Sequence, residues 1–389
     1  MGLAVASVGV AGSSASAAGG TCNPQVIDMG TLGGSSSEID GASATGAFVG
    51  AADTADGDTR PVLWNGTSIV DLGLHDGWAA AANGDGVVVG NADTDTNAWA
   101  FAWQTGHSWA LPTPAPYTSS YVRRVNSRGD ASGSVTTADG TTFPAVWQRL
   151  RTLHVLGIPA GYDGAEALGI NDRGDAVGDA WNSSEDVAWE WPASGPAYEL
   201  APIYHNGFSQ ANVINARGTA GGGMDFGGQL GLWAGVWRNG GFEKLGQFDV
   251  DPNFSFAFGS DDADEYVGGG SYSLDDPYLH VFISKPGLHQ LLTMPPLSGN
   301  FDDRSNAHAV VPPHGTVTGT TVGGSSMTAT GDMHATLWTC AWQQAQPAPG
   351  SAPTTTDGTS APNSRARQLM TSYADRSSGR RWLSLLSRR

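Results

Sequence analysis

The stretch INDRGDAVGD (residues 170–179) decides the fold, because VNSRGDASGS repeats its pattern at residues 125–134. Both contain an Arg-Gly-Asp triplet, and in both a second glycine follows the first by four residues. That spacing recurs along the chain at Gly46/Gly50, Gly86/Gly90, Gly129/Gly133, Gly174/Gly178, Gly218/Gly222 and Gly315/Gly319, with Asp264/Gly268 as a degenerate copy. The second glycines are 40 to 51 residues apart, so the chain consists of repeated structural units.

Each copy reads as four short strands. In the fourth copy, residues 165–171 and 174–180 form a hairpin, residues 186–191 a third strand and residues 197–203 a fourth. Four short antiparallel strands cannot bury both faces alone, whereas sheets stacked face to face around an axis can. The repeat therefore predicts an all-β fold, a seven-bladed β-propeller of four-stranded antiparallel blades.

The turn of the hairpin explains the first glycine. Asn171 can bond through its side chain to the backbone two residues on, and Gly174 supplies the positive φ that closes the turn. Gly178 is expected to leave room for a neighbouring sheet. Only the glycine of the Arg-Gly-Asp triplet recurs in the other copies, so the triplet is interpreted as turn chemistry and not as an adhesion motif.

One large side chain recurs in the third strand of every copy. Because one residue per blade most simply fills the space between adjacent sheets, these side chains are predicted to form core and not to stack on a ligand. They are Trp64, Trp103, Trp147, Trp191, Trp237, Ile283 and Trp338.

The two ends of the repeat region complement each other. The seventh copy ends after its third strand, and VIDMG (residues 26–30) matches the fourth strand IVDLG (residues 69–73). The N-terminal strand is therefore expected to complete the last blade and close the ring. The only two cysteines, Cys22 and Cys340, lie at this seam, and we predict a disulfide between them, which an exported protein keeps oxidised.

Composition bounds the function. The chain of 389 residues carries a net charge of −18, which disfavours binding to nucleic acid. Residues 1–21 are predicted to be a signal peptide or a disordered leader, with Ala15-Ser16-Ala17 as the cleavage pattern. The predicted propeller spans residues 22–343, a Pro/Ser/Thr/Gly-rich linker 344–363 and a basic tail 364–389. We expect a monomer without a transmembrane segment that is secreted, extracellular or cell-wall associated.

The candidate site is one mouth of the channel. Five positions before the turn asparagine, the copies differ in residue type: Glu38, Trp78, Tyr121, Glu166, Gln210, Phe256 and Ala307. Aromatic rings and carboxylates in one ring can hold a sugar or a peptide. Ordinary rim residues without a ligand are the alternative.

No cofactor is predicted. Residues 52–59 and 92–97 space carboxylates as calcium loops do, but neither continues into the glycine and distal glutamate of a calcium-binding hand, so solvated turns are favoured over calcium. The histidines lack zinc-site spacing; His308 and His314 flank one strand. No hydrolase, metalloprotease or phosphate-binding motif occurs.

The chain resembles the extracellular HAF-repeat proteins of bacteria. The residues that carry the resemblance are DMGTLGG (residues 28–34), the recurring Asn-x-x-Gly-x-x-x-Gly turn, and HATLW (residues 334–338) with the weaker HVFI and FAW. The resemblance covers about residues 26–342 and departs from the pattern at Asp264 and at Pro312-Pro313. It implies a secreted β-propeller and brings no catalytic residues.

Three functions follow as hypotheses. The first is a non-catalytic binding or scaffolding propeller that recognises an extracellular glycan, peptide or protein at the channel mouth. The second is a polysaccharide lyase or hydrolase that uses Glu38 and Glu166, although carboxyl groups opposite each other in a ring stand too far apart for concerted acid/base work. A structural protein without a small ligand is a third.

Overall fold

The computed structural model describes residues 22–93, 98–200, 208–225, 231–246, 254–271, 278–286, 291–315 and 317–342. The leader, the linker and the basic tail lie outside these residues. Every regular element within them is a β-strand, and the described residues contain no helix of the length and apolarity needed to cross a membrane.

The strands of the first half of the chain are short. They are β1 (Gln25–Asp28), β2 (Gly33–Ala42), β3 (Phe48–Thr54), β4 (Thr59–Asn65), β5 (Ser68–Asp71), β6 (Gly77–Ala82), β7 (Val88–Asp93), β8 (Ala98–Gln104), β9 (His107–Ala110), β10 (Tyr117–Val125), β11 (Ala131–Thr137), β12 (Thr142–Gln148), β13 (Thr152–Val155), β14 (Gly164–Ile170), β15 (Ala176–Trp181), β16 (Asp186–Trp191) and β17 (Tyr198–Glu199).

The second half continues the same pattern. Its strands are β18 (Ser209–Ile214), β19 (Ala220–Asp225), β20 (Leu232–Arg238), β21 (Gly241–Lys244), β22 (Phe254–Ser260), β23 (Tyr266–Ser271), β24 (His280–Ser284), β25 (Leu292–Thr293), β26 (Ser305–Val311), β27 (Thr320–Met327) and β28 (Met333–Cys340).

These strands build a β-propeller of four-stranded antiparallel units. Strands β6–β9, β10–β13, β14–β17, β18–β21 and β22–β25 form five separate sheets in which each strand pairs with the next along the chain. Consecutive sheets pack face to face. The core lies between them; in one cluster, Val89 of one sheet packs with Val122 and Trp147 of the next.

Five separate four-stranded sheets are present, where the sequence predicts seven blades. The other eight strands, β1–β5 and β26–β28, belong to one sheet. A single parallel bridge between Ser36 and Met333 joins β2 to β28. It forms because β2, at ten residues, is the longest strand in the described part of the chain and its first residues run beside β28.

The predicted seam is present. Strand β1 pairs antiparallel with β28, with Gln25 opposite Thr339 and Asp28 opposite Thr336. Cys22 and Cys340 form the predicted disulfide, with Cα atoms 5.5 Å apart. The Met29 N–H donates to the Ala335 carbonyl at 2.8 Å. The same third-to-fourth-strand bond recurs at Leu72, Leu111, Leu156, Leu200, Leu245 and Met294, so β1 stands to β28 as every fourth strand stands to its third.

The turn chemistry follows the prediction. Asn171 Oδ1 accepts from the Arg173 N–H at 3.0 Å, and Gly174 has a φ of 92°. In the sixth copy Asp264 adopts the positive φ itself, at 62°. The asparagine also has a role between sheets, because Asn171 Nδ2 donates to the Asn215 carbonyl of the next turn at 3.3 Å.

The aspartates of both Arg-Gly-Asp triplets are buried and paired with the arginine of the same triplet. Asp130 and Asp175 are 5% and 9% exposed. Arg128 pairs with Asp130 at 2.6 Å and Arg173 with Asp175 at 2.7 Å, while the second oxygen of Asp130 accepts from the Arg149 N–H at 3.0 Å. A receptor that reads this triplet needs an exposed carboxylate, and neither triplet presents one.

The second glycine has a different reason from the one expected. A Cβ at Gly178 would overlap the carbonyl oxygen of Glu166 on the adjacent strand of the same sheet, not a neighbouring sheet. In the seventh copy this position is Gly324 and not Gly319, because Gly324 lies against the carbonyl oxygen of Asn306. A longer connection between β26 and β27 displaces the glycine. The full set is Gly50, Gly90, Gly133, Gly178, Gly222, Gly268 and Gly324.

The recurring large side chains are core residues, as predicted, with one exception. Trp103 is half-buried, whereas the other six are buried. The Trp64 indole donates to the Met29 carbonyl at 3.1 Å, and those of Trp147 and Trp338 reach the carbonyls of Pro112 and Pro295 at 2.8 and 2.7 Å. Each acceptor follows the fourth strand of the preceding unit.

Candidate functional site

The inner strand of each unit is bulged at the same place. In β10, Tyr121 and Val122 pair with Ser134 and Gly133, and the register then shifts past Arg123. The extra residue kinks the strand and re-aims its neighbours. The equivalent residues are Asp40, Ala80, Arg123, Leu168, Asn212, Phe258 and His308.

The inner strands surround one cavity of about 160 Å³. Small and aliphatic side chains line most of it, and Arg124 and His308 are its two basic residues. The contributing strands are β2, β6, β10, β14, β18, β22 and β26.

Arg124 spans this channel from β10. Its Nη2 donates to the Phe258 carbonyl at 2.9 Å, and its Nη1 donates to those of Ala80 and Arg123 at 3.3 Å and of Asp40 at 3.5 Å. Burial lowers the pKa of Arg124 to about 10, against the opposing attraction of Asp40. The guanidinium therefore satisfies carbonyls that the bulges turn inward.

The predicted mouth residues occupy equivalent register positions. Each lies two residues before the bulged residue, as Tyr121 does before Arg123 and Glu166 before Leu168. The seventh member is Asn306 and not Ala307, because His308 is the bulged residue there. A preceding serine marks the position: the hydroxyls of Ser37, Ser120, Ser209, Ser255 and Ser305 each accept an N–H from the preceding unit.

Trp78, Tyr121 and Glu166 are brought together, with Arg123 completing the group. The rings of Trp78 and Tyr121 lie 5.3 Å apart at a tilt of 52°. The Arg123 guanidinium lies 4.3 Å from the centre of the Tyr121 ring, and its Nη2 is 3.3 Å from a carboxylate oxygen of Glu166. We call these four residues the acidic-aromatic cluster. Glu38 holds the same register position in β2, separated from β14 by β6 and β10.

Burial and charged neighbours of both signs act on this cluster. Burial and the charges of Glu166, Asp93 and Asp40 raise the pKa of the Tyr121 hydroxyl, with Arg123 opposing them. Burial alone would lower the pKa of Arg123, and the charge of Glu166 reverses that effect so that the pKa is raised. The buried Tyr121 hydroxyl has no hydrogen-bond partner among the described residues.

The other predicted mouth residues have different surroundings. Phe256 is 3% exposed and stacks on Phe258 at 5.4 Å, which in turn stacks on His308 at 5.1 Å. Phe256 is therefore a buried residue at this register position, because its neighbours cover its ring. Gln210 is half-buried opposite Gly223. Burial and the charge of Arg124 lower the pKa of His308 to about 3. We call Phe256, Phe258 and His308 the apolar stack.

No group of three or more His, Cys, Asp or Glu suited to a metal occurs in the described part of the chain. In the first calcium-type loop, Asp53 accepts from the Thr59 hydroxyl at 2.8 Å; residues 94–97 of the second lie outside the description. His314 packs on Gly46.

Sequence reasoning missed Arg123 and Arg124. Two consecutive arginines in an inner strand were the available signal, because the chain has only 19 Lys and Arg in total and buried cations are rare without partners.

No protein-family model matches the chain, and no curated protein matches it in sequence. Among solved structures it is similar to puromycin hydrolase at 11% identity and a TM-score of 0.47, covering 74% of this chain and 51% of that one. TolB from Acinetobacter baumannii is similar at 9% identity and 0.43, covering 63% of this chain and 65% of that one. The β-propeller domain of the Trilobed protease from Pyrococcus furiosus is similar at 6% identity and a TM-score of 0.36. The match covers 62% of this chain and 89% of that one.

The chain thus spans about half the length of puromycin hydrolase and 65% of that of TolB. All three TM-scores lie below 0.5, and these similarities carry no argument about family or activity.

Proposed function

We propose that the chain is a secreted, non-catalytic binding propeller of the extracellular HAF-repeat type, which recognises a glycan, peptide or protein at one mouth of its channel. The recurring asparagine turn supports the family, since Asn83, Asn126, Asn171 and Asn215 all hold their turns through the side-chain oxygen. The disulfide between Cys22 and Cys340 supports export, because such bonds persist in oxidising compartments.

Seven blades in a closed ring are part of this proposal. The eight-stranded sheet divides at the single Ser36–Met333 bridge into β26–β28 with β1, and β2–β5. The Ala335 N–H donates to Ser37 Oγ across that division at 2.8 Å, in the same way as the Ala188 N–H donates to Ser209 at 2.9 Å between separate sheets. Both contacts support counting the eight strands as two blades.

The acidic-aromatic cluster is the observation that carries the binding function. A half-exposed Trp78 beside Tyr121 offers an apolar face, and the Arg123–Glu166 pair offers charged hydrogen-bonding groups. A few converging polar groups next to aromatic rings are typical of ligand sites.

Binding of the disulfide-intact protein to glycan and peptide arrays tests the proposal. We expect wild-type binding to fall by about tenfold or more in Trp78→Ala and Tyr121→Ala, because central aromatic contacts dominate binding energy. Trp109→Ala is the matched control, since Trp109 is 38% exposed on the outer strand β9. Equal binding by all four proteins would refute the mouth as the site.

A further inference from the structure

We infer that the ligand group held at the mouth is a cationic side chain of a peptide, an arginine or lysine, bound between carboxylates and aromatic faces. This inference rests on the proposed function and specifies its ligand.

The sign of the local charge is the first step. Asp40, Asp93 and Glu166 all act on the Tyr121 hydroxyl as negative charges, and Arg123 is the cation that opposes them there. Asp179 adds a further carboxylate, directly opposite Glu166 in the paired strands β14 and β15. Like charges opposite each other in a sheet are unfavourable, so an added cation is attracted to this face of the mouth and an added anion is repelled.

Arg123 itself is the second step, because it shows that these surroundings hold a guanidinium. Its cation lies over an aromatic face at 4.3 Å and pairs with a carboxylate at 3.3 Å. Arginine over an aromatic ring beside a carboxylate is a favourable combination, and more so where water is excluded. The cluster thus already contains one bound guanidinium, supplied by the chain.

The third step is the position of Trp78. By register it stands between Glu38 on the inner strand before it and Tyr121 on the inner strand after it. Asp93 ends strand β7 of its own sheet. Trp78 is half-buried and its ring lies 5.3 Å from that of Tyr121, so it offers a second aromatic face next to the one that holds Arg123.

A cationic peptide could come from two sources. One is a separate molecule. The other is this chain's own basic tail, since residues 343–389 contain seven arginines and two aspartates. The chemistry recognised is the same in both cases, and the experiment separates them.

The test measures binding of a dye-labelled hexa-arginine peptide to the full-length protein by fluorescence anisotropy, at low and at physiological ionic strength. We expect the doubly substituted Glu38→Gln/Asp93→Asn protein and Trp78→Ala each to bind about tenfold or more weakly than the wild type. Asp85→Asn is the control, because it removes a charge from an exposed turn at the opposite end of the inner strands. A hexa-glutamate peptide should not bind.

A second arm identifies the source. In the full-length protein with the seven C-terminal arginines changed to glutamine, tighter binding of the labelled peptide than in the wild type would assign the mouth to the chain's own tail. Unchanged binding would assign it to a separate peptide. In either case the inference requires that the Glu38/Asp93 substitutions weaken binding.

Equal hexa-arginine binding by the wild type, the two mouth variants and Asp85→Asn would overturn the inference. If a neutral glycan binds in a Trp78-dependent way while hexa-arginine does not bind, the inference fails and the proposed function stands. If neither hexa-arginine nor any ligand on the arrays binds in a Trp78-dependent way, both fail.

Discussion

The acidic-aromatic cluster and the apolar stack occupy equivalent positions on inner strands, yet they differ in almost every property. In the cluster, Tyr121 and Glu166 lie among charges and are reached by Arg123. In the stack, Phe256 is covered by Phe258 and by the neighbouring sheets. The comparison teaches that the register position fixes where a side chain leaves the strand, while its neighbours on other strands decide whether it lies among charges or in an apolar core.

The largest expected effect tests the apolar side of this comparison. Phe256→Ala should lower the free energy of unfolding in urea by about 3–5 kcal/mol, because it opens a cavity in a packed cluster. Trp78→Ala, at the equivalent but half-exposed position, is the matched control and should cost less. Similar losses for both would mean that the two sides of the mouth are not distinct.

A smaller loss is expected where one residue connects the two sides. Arg124→Met should cost about 2–3 kcal/mol, because bonds from a charged donor to four carbonyls are lost, while release of a buried charge offsets part of the loss. Urea unfolding measures the difference. Arg128→Met, in a turn and half-exposed, should stay within about 1 kcal/mol. An unchanged free energy of unfolding in Arg124→Met would show that the channel carbonyls do not need this donor.

The comparison extends to the opposite ends of the same inner strands. In the fourth copy, Asn171 Nδ2 donates to Asp175 at 3.1 Å. In the sixth copy the corresponding residues are Asp261 and Glu265. Burial, together with the charge of Glu265, raises the pKa of Asp261 to about 6. Because the folded-state pKa exceeds the unfolded value, the native state loses stability as the pH rises through 6.

Asp261→Asn should therefore raise the free energy of unfolding by about 1–2 kcal/mol at pH 8, and the gain should vanish as the pH falls toward 4. Thermal or urea unfolding across this pH range measures it. Asp175→Asn is the control of opposite sign. Although burial opposes the shift, hydrogen bonds lower the pKa of Asp175, so its loss should cost stability at neutral pH. A pH-independent effect of Asp261→Asn would contradict the buried carboxyl pair.

The smallest effect is expected at Tyr121. Tyr121→Phe removes a buried hydroxyl that has no partner among the described residues, so the free energy of unfolding should stay the same or rise by up to about 1 kcal/mol. Tyr266→Phe is the control, because that hydroxyl donates to Asp264 at 3.4 Å and should cost about 0.5–1.5 kcal/mol. A marked loss in Tyr121→Phe would mean that its hydroxyl is already satisfied in the free protein.

Much of the candidate site could be predicted from the sequence, because in most copies the candidate residue lies five positions before the turn asparagine. The count failed in the seventh copy, where Asn306 and not Ala307 is the equivalent residue. The preceding serine was a better marker, since Ser305 repeats the bond made by Ser255 and Ser209. Arg123 was missed because a β-bulge adds one residue to the strand. Counting alternating positions along the sequence does not show where that extra residue lies.

The sequence by itself determined the repeated strands, the positive-φ turns, the tryptophan core and the Cys22–Cys340 pairing, because each depends on local geometry or on residues that recur once per copy. Only the tertiary structure decided that β2 and β28 join into one sheet, that Arg124 bridges the channel, and that Phe256 is covered while Trp78 is half-exposed. These outcomes depend on which side chains from different copies come into contact across the channel. A pattern that repeats within each copy contains no information about contacts between copies.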